Sequence, residues 1–90
     1  MPLQRSNMSK YLILLKKHII VIIMNIISFQ IFCIEFYAKH IQKPGNQVYL
    51  MFRDSGLMDM LETDYEDLHG LGTEAMMQFC DRYLGQEKRS

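Results

Sequence analysis

The residues best placed for chemistry lie in the stretch YEDLHGLGTE, from Tyr65 to Glu74, where His69 stands among carboxylates and beside two glycines. A histidine near a carboxylate can act as a general acid or base, but catalysis also needs a nucleophile or a substrate-facing group within hydrogen-bond reach. Ser55, the nearest serine, falls in a predicted turn, and Cys80 falls in the apolar stripe of a predicted helix. We therefore predict that the chain has no catalytic residue and is not an enzyme.

A structural role explains His69 more simply. In the last turn of a helix, a charged histidine stabilises the terminal carbonyl groups by about 0.3–1 kcal/mol. Gly70 is then predicted to take the left-handed conformation that ends many helices. The GLG stretch has no preceding strand and matches no phosphate-binding loop. We expect His69 to cap a helix, and contact with a partner protein is the alternative.

The cysteines and histidines do not form a metal-binding or disulfide pattern. Cys33 and Cys80 each lie within an apolar stripe, as small buried residues do. His18, His40 and His69 are scattered, and none pairs with a cysteine at a spacing typical of metal ligands. We predict no metal, no cofactor, and reduced thiols of the kind that cytoplasmic proteins contain.

Charge is divided unevenly along a chain whose net charge is zero. Residues 1–43 carry six basic residues and one acidic residue, giving +5, and residues 44–90 carry four basic and nine acidic residues, giving −5. This balance leaves no broad basic surface for nucleic acid. A DNA-binding helix-turn-helix is also disfavoured, because the later helices carry acids where a recognition helix needs Arg, Lys, Asn or Gln.

An acidic run is the remaining candidate for function. Between Arg53 and Arg82 there are eight acidic residues and no Lys or Arg. Most such runs are solvated surface, but carboxylates can also dock on a basic partner, where complementary charge speeds association and selects the partner. The candidate partner-binding residues are Asp59, Glu62, Asp64, Glu66, Asp67 and His69.

The N-terminal segment KKHIIVIIMNIISFQIFCI admits three interpretations. Its apolar run from Ile19 to Ile34 is sixteen residues long and includes polar residues, whereas a transmembrane helix needs about 20 apolar ones. A secretion signal would need a small-x-small cleavage site after the run, and none follows. The third interpretation is a start at Met24, with residues 1–23 translated from AT-rich bases upstream of it. Membrane anchoring by residues 11–34 is the alternative to a start at Met24.

Apolar spacing predicts a first helix over about residues 25–42, which Pro44 ends. Its inner face recurs at steps of 4, 3, 4 and 3 residues. The residues of that face are Ile27, Ile31, Ile34, Ala38 and Ile41. The isoleucine-rich segment before them is predicted to extend this helix toward the N-terminus.

Three shorter helices follow. The second covers about residues 46–54. The third begins near Leu57 and ends at HGLG, and Thr63 and Asp64 are predicted to loosen or break it midway. The fourth has Thr73 as its N-cap. Glycines at positions 56 and 85 are the predicted stops of the second and fourth. The predicted inner residues are Val48, Met51, Phe52, Leu57, Leu61, Tyr65, Leu68, Met76, Cys80, Tyr83 and Leu84.

These patterns predict an all-α fold, a small bundle of about four helices with an apolar N-terminal extension of the first helix. Residues 1–23 form an apolar and basic segment, residues 24–86 the helical domain, and residues 87–90 a solvated tail. A chain of this size buries only about 60% of its unfolded surface, so its stability depends on close packing or on a partner.

Four short motifs, in this order, resemble the bacterial domain-of-unknown-function family 3791 over about residues 27–85. They are F-C-I-E-x-x-A, V-Y-x-x-F, Y-x-x-L-H with a following glycine, and a final Y-L. The matching residues are Phe32, Cys33, Ile34, Glu35, Ala38, Val48, Tyr49, Phe52, Tyr65, Leu68, His69, Gly72, Tyr83 and Leu84. Gly70 stands where the family more usually has threonine, so a polar cap contact is expected to be missing.

The resemblance implies a small bacterial protein with no assigned activity. It also implies a gene that accompanies a second small family resembling ADP-ribosyltransferases, which would suit an antitoxin or a partner subunit. We therefore expect a non-enzymatic, cytoplasmic module that binds another protein, such as the product of an adjacent gene, through its acidic third helix. The alternative is a small membrane-associated protein anchored by residues 11–34.

Overall fold

The computed structural model describes the backbone of residues 5–85 and the side chains of residues 9–85. The helices are α1 (Arg5–Ile41), α2 (Gly45–Ser55), α3 (Leu57–Thr63), α4 (Tyr65–Leu68) and α5 (Thr73–Leu84). No strand occurs in this part of the chain, which confirms the all-α bundle with a long N-terminal extension. The tail predicted for residues 87–90 lies outside the described residues.

Pro44 separates α1 from α2, as predicted. Its φ of −63° and ψ of 147° are extended, so it begins α2 as the N-cap and does not continue α1. Just before it, Gln42 has a positive φ of 57°, and the Lys43 N–H donates to the Ala38 carbonyl at 3.0 Å. This bond is typical of helix ends that contain a left-handed residue. The chain then turns, and α2 packs against α1.

Left-handed glycines end α2 and α5, as predicted. Gly56 has a φ of 85° and Gly85 a φ of 71°. Glycine suits both positions because it has no Cβ to collide with the backbone in this conformation. At Gly56 a Cβ atom would also lie 3.3 Å from the Tyr83 hydroxyl.

The start of α5 differs by one residue from the prediction. Gly72, with φ of −69° and ψ of 163°, is the N-cap, and Thr73 is the first helical residue without a side-chain capping bond. The Gly72 carbonyl already accepts the Met76 N–H at 2.9 Å, so the helical hydrogen bonds begin at the glycine. The N-cap prediction for Thr73 is therefore wrong.

Asp64 divides the predicted third helix into α3 and α4. Its φ of −104° and ψ of 24° depart from helical values. Its N–H still donates to the Met60 carbonyl at 2.9 Å, and its carbonyl accepts the Leu68 N–H at 2.9 Å. The break is thus confined to one residue, and it makes five helices where the sequence predicts about four.

The hydrophobic core lies between the C-terminal half of α1 and the four shorter helices. Its buried residues are Cys33, Tyr37, Val48, Phe52, Leu57, Leu61, Leu68, Met76, Met77 and Cys80. Predicted inner residues such as Met51 and Leu84 pack against this core and are partly buried. Among the described side chains, no buried nitrogen or oxygen lacks a hydrogen-bond partner.

The buried face of α1 is the predicted one at Ile34, Ala38 and Ile41, which are partly buried against the core, but not farther toward the N-terminus. Ile27 and Ile31 are 48% and 50% exposed, whereas Tyr37 is fully buried. Gln30 is half-buried, and its amide Nε2 donates to the Met58 carbonyl at 3.1 Å. Apolar residues occupy most positions in this part of α1, so spacings of three and four fit several faces. The hydrogen bond of Gln30 lies on the face that is buried.

The buried face of α5 is the predicted one at Met76 and Cys80, and Leu84 is partly buried against the core. Met77, 6% exposed, lies in the core, and Tyr83 is 37% exposed. The Tyr83 hydroxyl donates to the Ser55 carbonyl at 3.4 Å. A phenol that needs a polar partner takes a position at the edge of the core, and the thioether of methionine has no such need.

The N-terminal arm, defined as residues 9–25 of α1, is exposed along its whole length. Its large apolar side chains are 48–68% exposed, and the molecule measures 70 Å along its longest axis against 23 and 19 Å across. Between Ser9 and Ile41, α1 contains an 18-residue window with mean hydropathy 2.3 and 6% of its residues buried. By length and composition this helix could cross a membrane, although signal sequences and some soluble core helices meet the same criterion.

Candidate functional site

The predicted partner-binding carboxylates lie along α3 and α4 and at the residue between them. They are Asp59, Glu62, Asp64, Glu66 and Asp67, and we call them the acidic surface. Asp64 is half-buried and the other four are exposed. The apolar spacing causes this arrangement, since Leu57, Leu61 and Leu68 are buried on the core side of the same helices. Within residues 9–85, no ion pair joins these carboxylates to a Lys, Arg or His.

His69 caps α4 from its C-terminal end. Its Nδ1 lies 2.7 Å from the Tyr65 carbonyl oxygen. Because a carbonyl oxygen only accepts, Nδ1 carries the proton in this contact. The imidazole also stacks on the Tyr65 ring, with centroids 4.4 Å apart and planes 7° apart, and Tyr65 meets Phe29 of α1 edge-on at 5.5 Å. The predicted contact of His69 with a terminal carbonyl is confirmed.

Gly70 does not take the predicted left-handed conformation. Positive φ values at glycine occur in the described part of the chain at two other positions. His69 keeps helical angles of −68° and −16°, and the Leu71 N–H donates to the Leu68 carbonyl at 3.0 Å. The chain therefore leaves α4 through a further right-handed turn, and the prediction for Gly70 is wrong.

A hydrogen-bonded cluster outside the acidic surface joins α1 to α5. The Tyr37 hydroxyl donates to Asp81 Oδ1 at 2.8 Å, and His40 Nε2 lies 2.8 Å from Asp81 Oδ2. Tyr37 is fully buried, while the side chains of His40 and Asp81 are 41% and 22% exposed. A spacing of three residues places the two α1 side chains on one side of the helix. We call these residues the Tyr37–His40–Asp81 cluster.

The sequence contains a signal for this cluster, although the sequence predictions missed it. Tyr37 and His40 follow Cys33 at helical spacing, and Asp81 directly follows Cys80. In the sequence, His40 is an isolated histidine and Asp81 is one acid of the acidic run. In the fold these two residues are in contact. The pairing depends on the relative rotation of α1 and α5, which local spacing does not determine.

Burial and a neighbouring charge keep the Tyr37 phenol protonated. Desolvation raises the pKa of Tyr37, and the hydrogen bond to Asp81 and the negative charge of Asp81 raise that pKa further. A phenol in this state is a hydrogen-bond donor to the carboxylate at physiological pH. The protonated phenol therefore supplies the proton that the 2.8 Å contact with Asp81 requires.

Cys33 and Cys80 are fully buried free thiols, as predicted. Burial raises the pKa of each thiol to about 12, and the charges of Cys33 and Asp81 add to the effect on Cys80. Because the thiolate is the reactive form of cysteine, both thiols are weak nucleophiles near neutral pH.

The Tyr37–His40–Asp81 cluster is suited to holding two helices together. A histidine and an aspartate occur together in hydrolytic enzymes, where the second imidazole nitrogen activates a nucleophile. Here the phenol and Nε2 of His40 both contact the same carboxylate, and the nearby thiol of Cys80 is protonated. Within the described residues, no group of three or more His, Cys, Asp or Glu could hold a metal ion.

Comparison with known proteins identifies the family. A family model described as "Protein of unknown function (DUF3791)" matches residues 28–87, which confirms the resemblance over about residues 27–85. The match begins in α1 just after the N-terminal arm and includes every shorter helix of the bundle. No curated protein and no solved structure matches the chain. Since the family model covers two thirds of its 90 residues, the chain belongs to the DUF3791 family.

Proposed function

We propose that this chain is a non-enzymatic, cytoplasmic module that binds another protein through the acidic surface, as a regulatory or antitoxin-like partner. One observation carries the proposal. Four carboxylates of the acidic surface are exposed on two consecutive helices, without an ion pair to any described basic side chain. A basic protein surface would pair these charges, and complementary charge would steer its approach.

The surroundings of the acidic surface favour binding over chemistry. His69 bonds through Nδ1 to the Tyr65 carbonyl and stacks on the Tyr65 ring, so its position is held by its own helix. Its other nitrogen has no hydrogen-bond partner among the described residues and is available to a partner protein. Rigid placement of charged groups lowers the entropy lost when a complex forms.

The state of the two cysteines supports the cytoplasmic and non-enzymatic parts of the proposal. The buried thiols of Cys33 and Cys80 are free and protonated, which fits a reducing compartment and gives no strong nucleophile. The resemblance implies, in addition, that the partner is to be sought first among the products of adjacent genes.

Affinity purification of the full chain with the product of the adjacent gene tests the proposal. Glu62→Lys combined with Glu66→Lys reverses charge on α3 and α4, and we expect the amount of co-purified partner to fall at least tenfold. Complementary charges at a binding surface commonly contribute more than 1.4 kcal/mol in total, which corresponds to about tenfold in affinity.

A matched control separates a specific surface from net charge. Glu35→Lys combined with Asp54→Lys makes the same charge change at exposed positions on α1 and α2, outside the acidic surface. This control is expected to keep the partner. If both double variants lose it equally, or if the unmodified chain elutes alone, the acidic surface is not the binding site.

A second candidate function is membrane association through residues 11–34. The observation that favours it is the N-terminal arm, whose apolar side chains are exposed on all sides. A helix that is apolar all round is typical of a buried or membrane-embedded element. Flotation of the full chain with lipid vesicles tests this function, and a chain that stays at the bottom of the gradient with every lipid would exclude it.

A further inference from the structure

The N-terminal arm carries apolar residues on every side, and three of its polar residues share one of these sides. Lys10, Lys17 and Asn25 lie seven and eight residues apart, so they share one side of the helix. Residues spaced 3, 4, 3 and 4 along the opposite side are all aliphatic. They are Leu12, Leu15, Ile19, Ile22 and Ile26. We call the first set the polar stripe and the second the aliphatic stripe.

We infer that the N-terminal arm binds in the plane of an anionic lipid bilayer, with the aliphatic stripe toward the acyl chains and the polar stripe toward the headgroups. This inference rests on the second candidate function. It adds the orientation of the helix, the class of lipid, and the residue at which lipid contact ends.

The polar residues in the middle of the arm favour lying in the bilayer plane over crossing it. Lys16, Lys17 and His18 occupy the middle of the arm, where a crossing helix would place them deep in hydrocarbon. In the plane of the bilayer, the flexible lysine side chains reach the headgroups while their aliphatic stems stay in apolar surroundings.

The bundle sets the limit of lipid contact. Past Asn25, α1 begins to be covered by the shorter helices, with Ile26 and Phe29 half-buried and Cys33 fully buried. The Phe29 ring packs edge-on against Tyr65 at 5.5 Å. On the side of the aliphatic stripe, lipid contact therefore ends near Ile26, where the protein core begins, whereas Ile27 and Ile31 are exposed on another side of α1.

Charge selects an anionic lipid. Residues 9–34 contain three lysines and no acidic residue. Residues 44–85 contain two arginines and eight acidic residues, giving −6. An anionic surface attracts the arm and repels the bundle, which holds the bundle in water. Each basic residue close to such a surface contributes about 1 kcal/mol, or about fivefold in partitioning.

Tryptophan fluorescence tests the orientation, because the chain contains no tryptophan. Ile19→Trp and Val21→Trp place a probe on the aliphatic and the polar side at positions of equal exposure, 54% and 55%. Tyr49→Trp places a control on the exposed surface of α2. Each full-length variant is mixed with vesicles of phosphatidylcholine and phosphatidylserine, with and without bromine on the acyl chains.

In-plane binding predicts a blue shift and strong bromine quenching for Ile19→Trp, weak quenching for Val21→Trp, and no change for Tyr49→Trp. A helix that crosses the bilayer would quench the first two equally, since they lie only about 3 Å apart along the axis. Equal quenching would overturn the orientation, and quenching of Tyr49→Trp would overturn the limit of lipid contact.

Charge reversal tests the class of lipid. Lys10→Glu combined with Lys17→Glu should lower partitioning into phosphatidylserine-containing vesicles by at least about 25-fold, from two fivefold contributions. Lys39→Glu combined with Lys43→Glu, the same charge change at the bundle end of α1, should change partitioning far less. Equal binding of the unmodified chain to pure phosphatidylcholine would overturn the anionic preference while leaving membrane association intact.

Two outcomes would overturn the inference as a whole. Absence of binding to every vesicle removes the second candidate function together with the inference. A blue shift of Ile19→Trp before any vesicle is added would show that a second copy of the chain already covers the aliphatic stripe.

Discussion

Asp81 holds two side chains of α1, one with each carboxylate oxygen. The bond from Tyr37 is buried, and the contact with His40 is partly exposed to water. A hydrogen bond to a charged group contributes about 1.5–3 kcal/mol when it is shielded, whereas an exposed ion pair contributes about 0.2–1 kcal/mol. Most of the stability that this cluster supplies therefore comes from the phenol.

Separate replacement of Tyr37 and His40 tests which of the two contacts of Asp81 contributes more to stability. Tyr37→Phe should lower the free energy of unfolding by about 1.5–3 kcal/mol at neutral pH, because Asp81 then loses its buried donor. His40→Ala should lower it by less than about 1 kcal/mol. Urea denaturation followed by circular dichroism measures both, and a larger loss for His40→Ala would contradict the assignment.

The raised pKa values of Tyr37, Cys33 and Cys80 also predict how stability changes with pH. Each group holds its proton more strongly in the folded chain than in the unfolded chain. The stability they supply is fully present below the unfolded pKa values, about 8.5 for cysteine and about 10 for tyrosine, and is lost as pH rises toward the folded values. Urea denaturation between about pH 7 and 11 should show this loss, with a shallower decline above about pH 10 for Tyr37→Phe.

His69 is expected to contribute little to stability. His69→Ala removes the contact with the Tyr65 carbonyl and the stacking on its ring, and we expect a loss of about 0.3–1 kcal/mol in thermal unfolding. A matched variant, Gln78→Ala on the exposed side of α5, should change stability less. A loss above about 2 kcal/mol would show that His69 has a larger structural role than helix capping.

The shorter helices depend on glycine where they end. Gly56 and Gly85 both have left-handed backbones, which cost an L-residue about 1–2 kcal/mol. They differ in their surroundings, since a Cβ atom would meet Tyr83 Oη at 3.3 Å at position 56 and open space at position 85. The junction between α2 and α3 is therefore the more demanding of the two.

Three alanine substitutions separate these effects. Gly56→Ala should destabilise the fold by more than Gly85→Ala, and Gly85→Ala by about 1–2 kcal/mol. Gly45→Ala, at the start of α2 with nothing within 4 Å of its Cβ position, should stabilise by about 0.4–1 kcal/mol through the unfolded state. Thermal unfolding of the three variants ranks their stabilities directly. Equal effects at positions 45 and 56 would contradict the left-handed conformation of Gly56.

The molecule consists of a packed bundle and a helical arm that projects from it. Among the side chains of residues 9–85, every buried one lies in the bundle, at Cys33 or later in the chain. The N-terminal arm carries basic and apolar residues, and the bundle carries most of the acids. The two candidate functions therefore use different surfaces of one protein.

Removal of residues 1–23 should leave the bundle intact. None of the removed residues whose side chains are described is buried, so the free energy of unfolding should change by less than about 0.5 kcal/mol. Removal of residues 1–30 also deletes Phe29 and Gln30, which contact Tyr65 and the Met58 carbonyl, and should destabilise the fold clearly. Equal stability of the two shortened chains would show that α1 contributes to the core only after residue 30.

Local sequence determined the helices, the end of α1 before Pro44, the glycine ends of α2 and α5, and the burial of Leu57, Leu61 and Leu68, because these follow from periodicity and backbone sterics within a few residues. It also determined the family, whose motifs are short and ordered. The tertiary structure alone decided that α1 buries Tyr37 and leaves Ile27 and Ile31 exposed, since an apolar helix offers several equivalent faces. It also brought Tyr37 to Asp81, because contacts between distant residues depend on how whole helices rotate against each other.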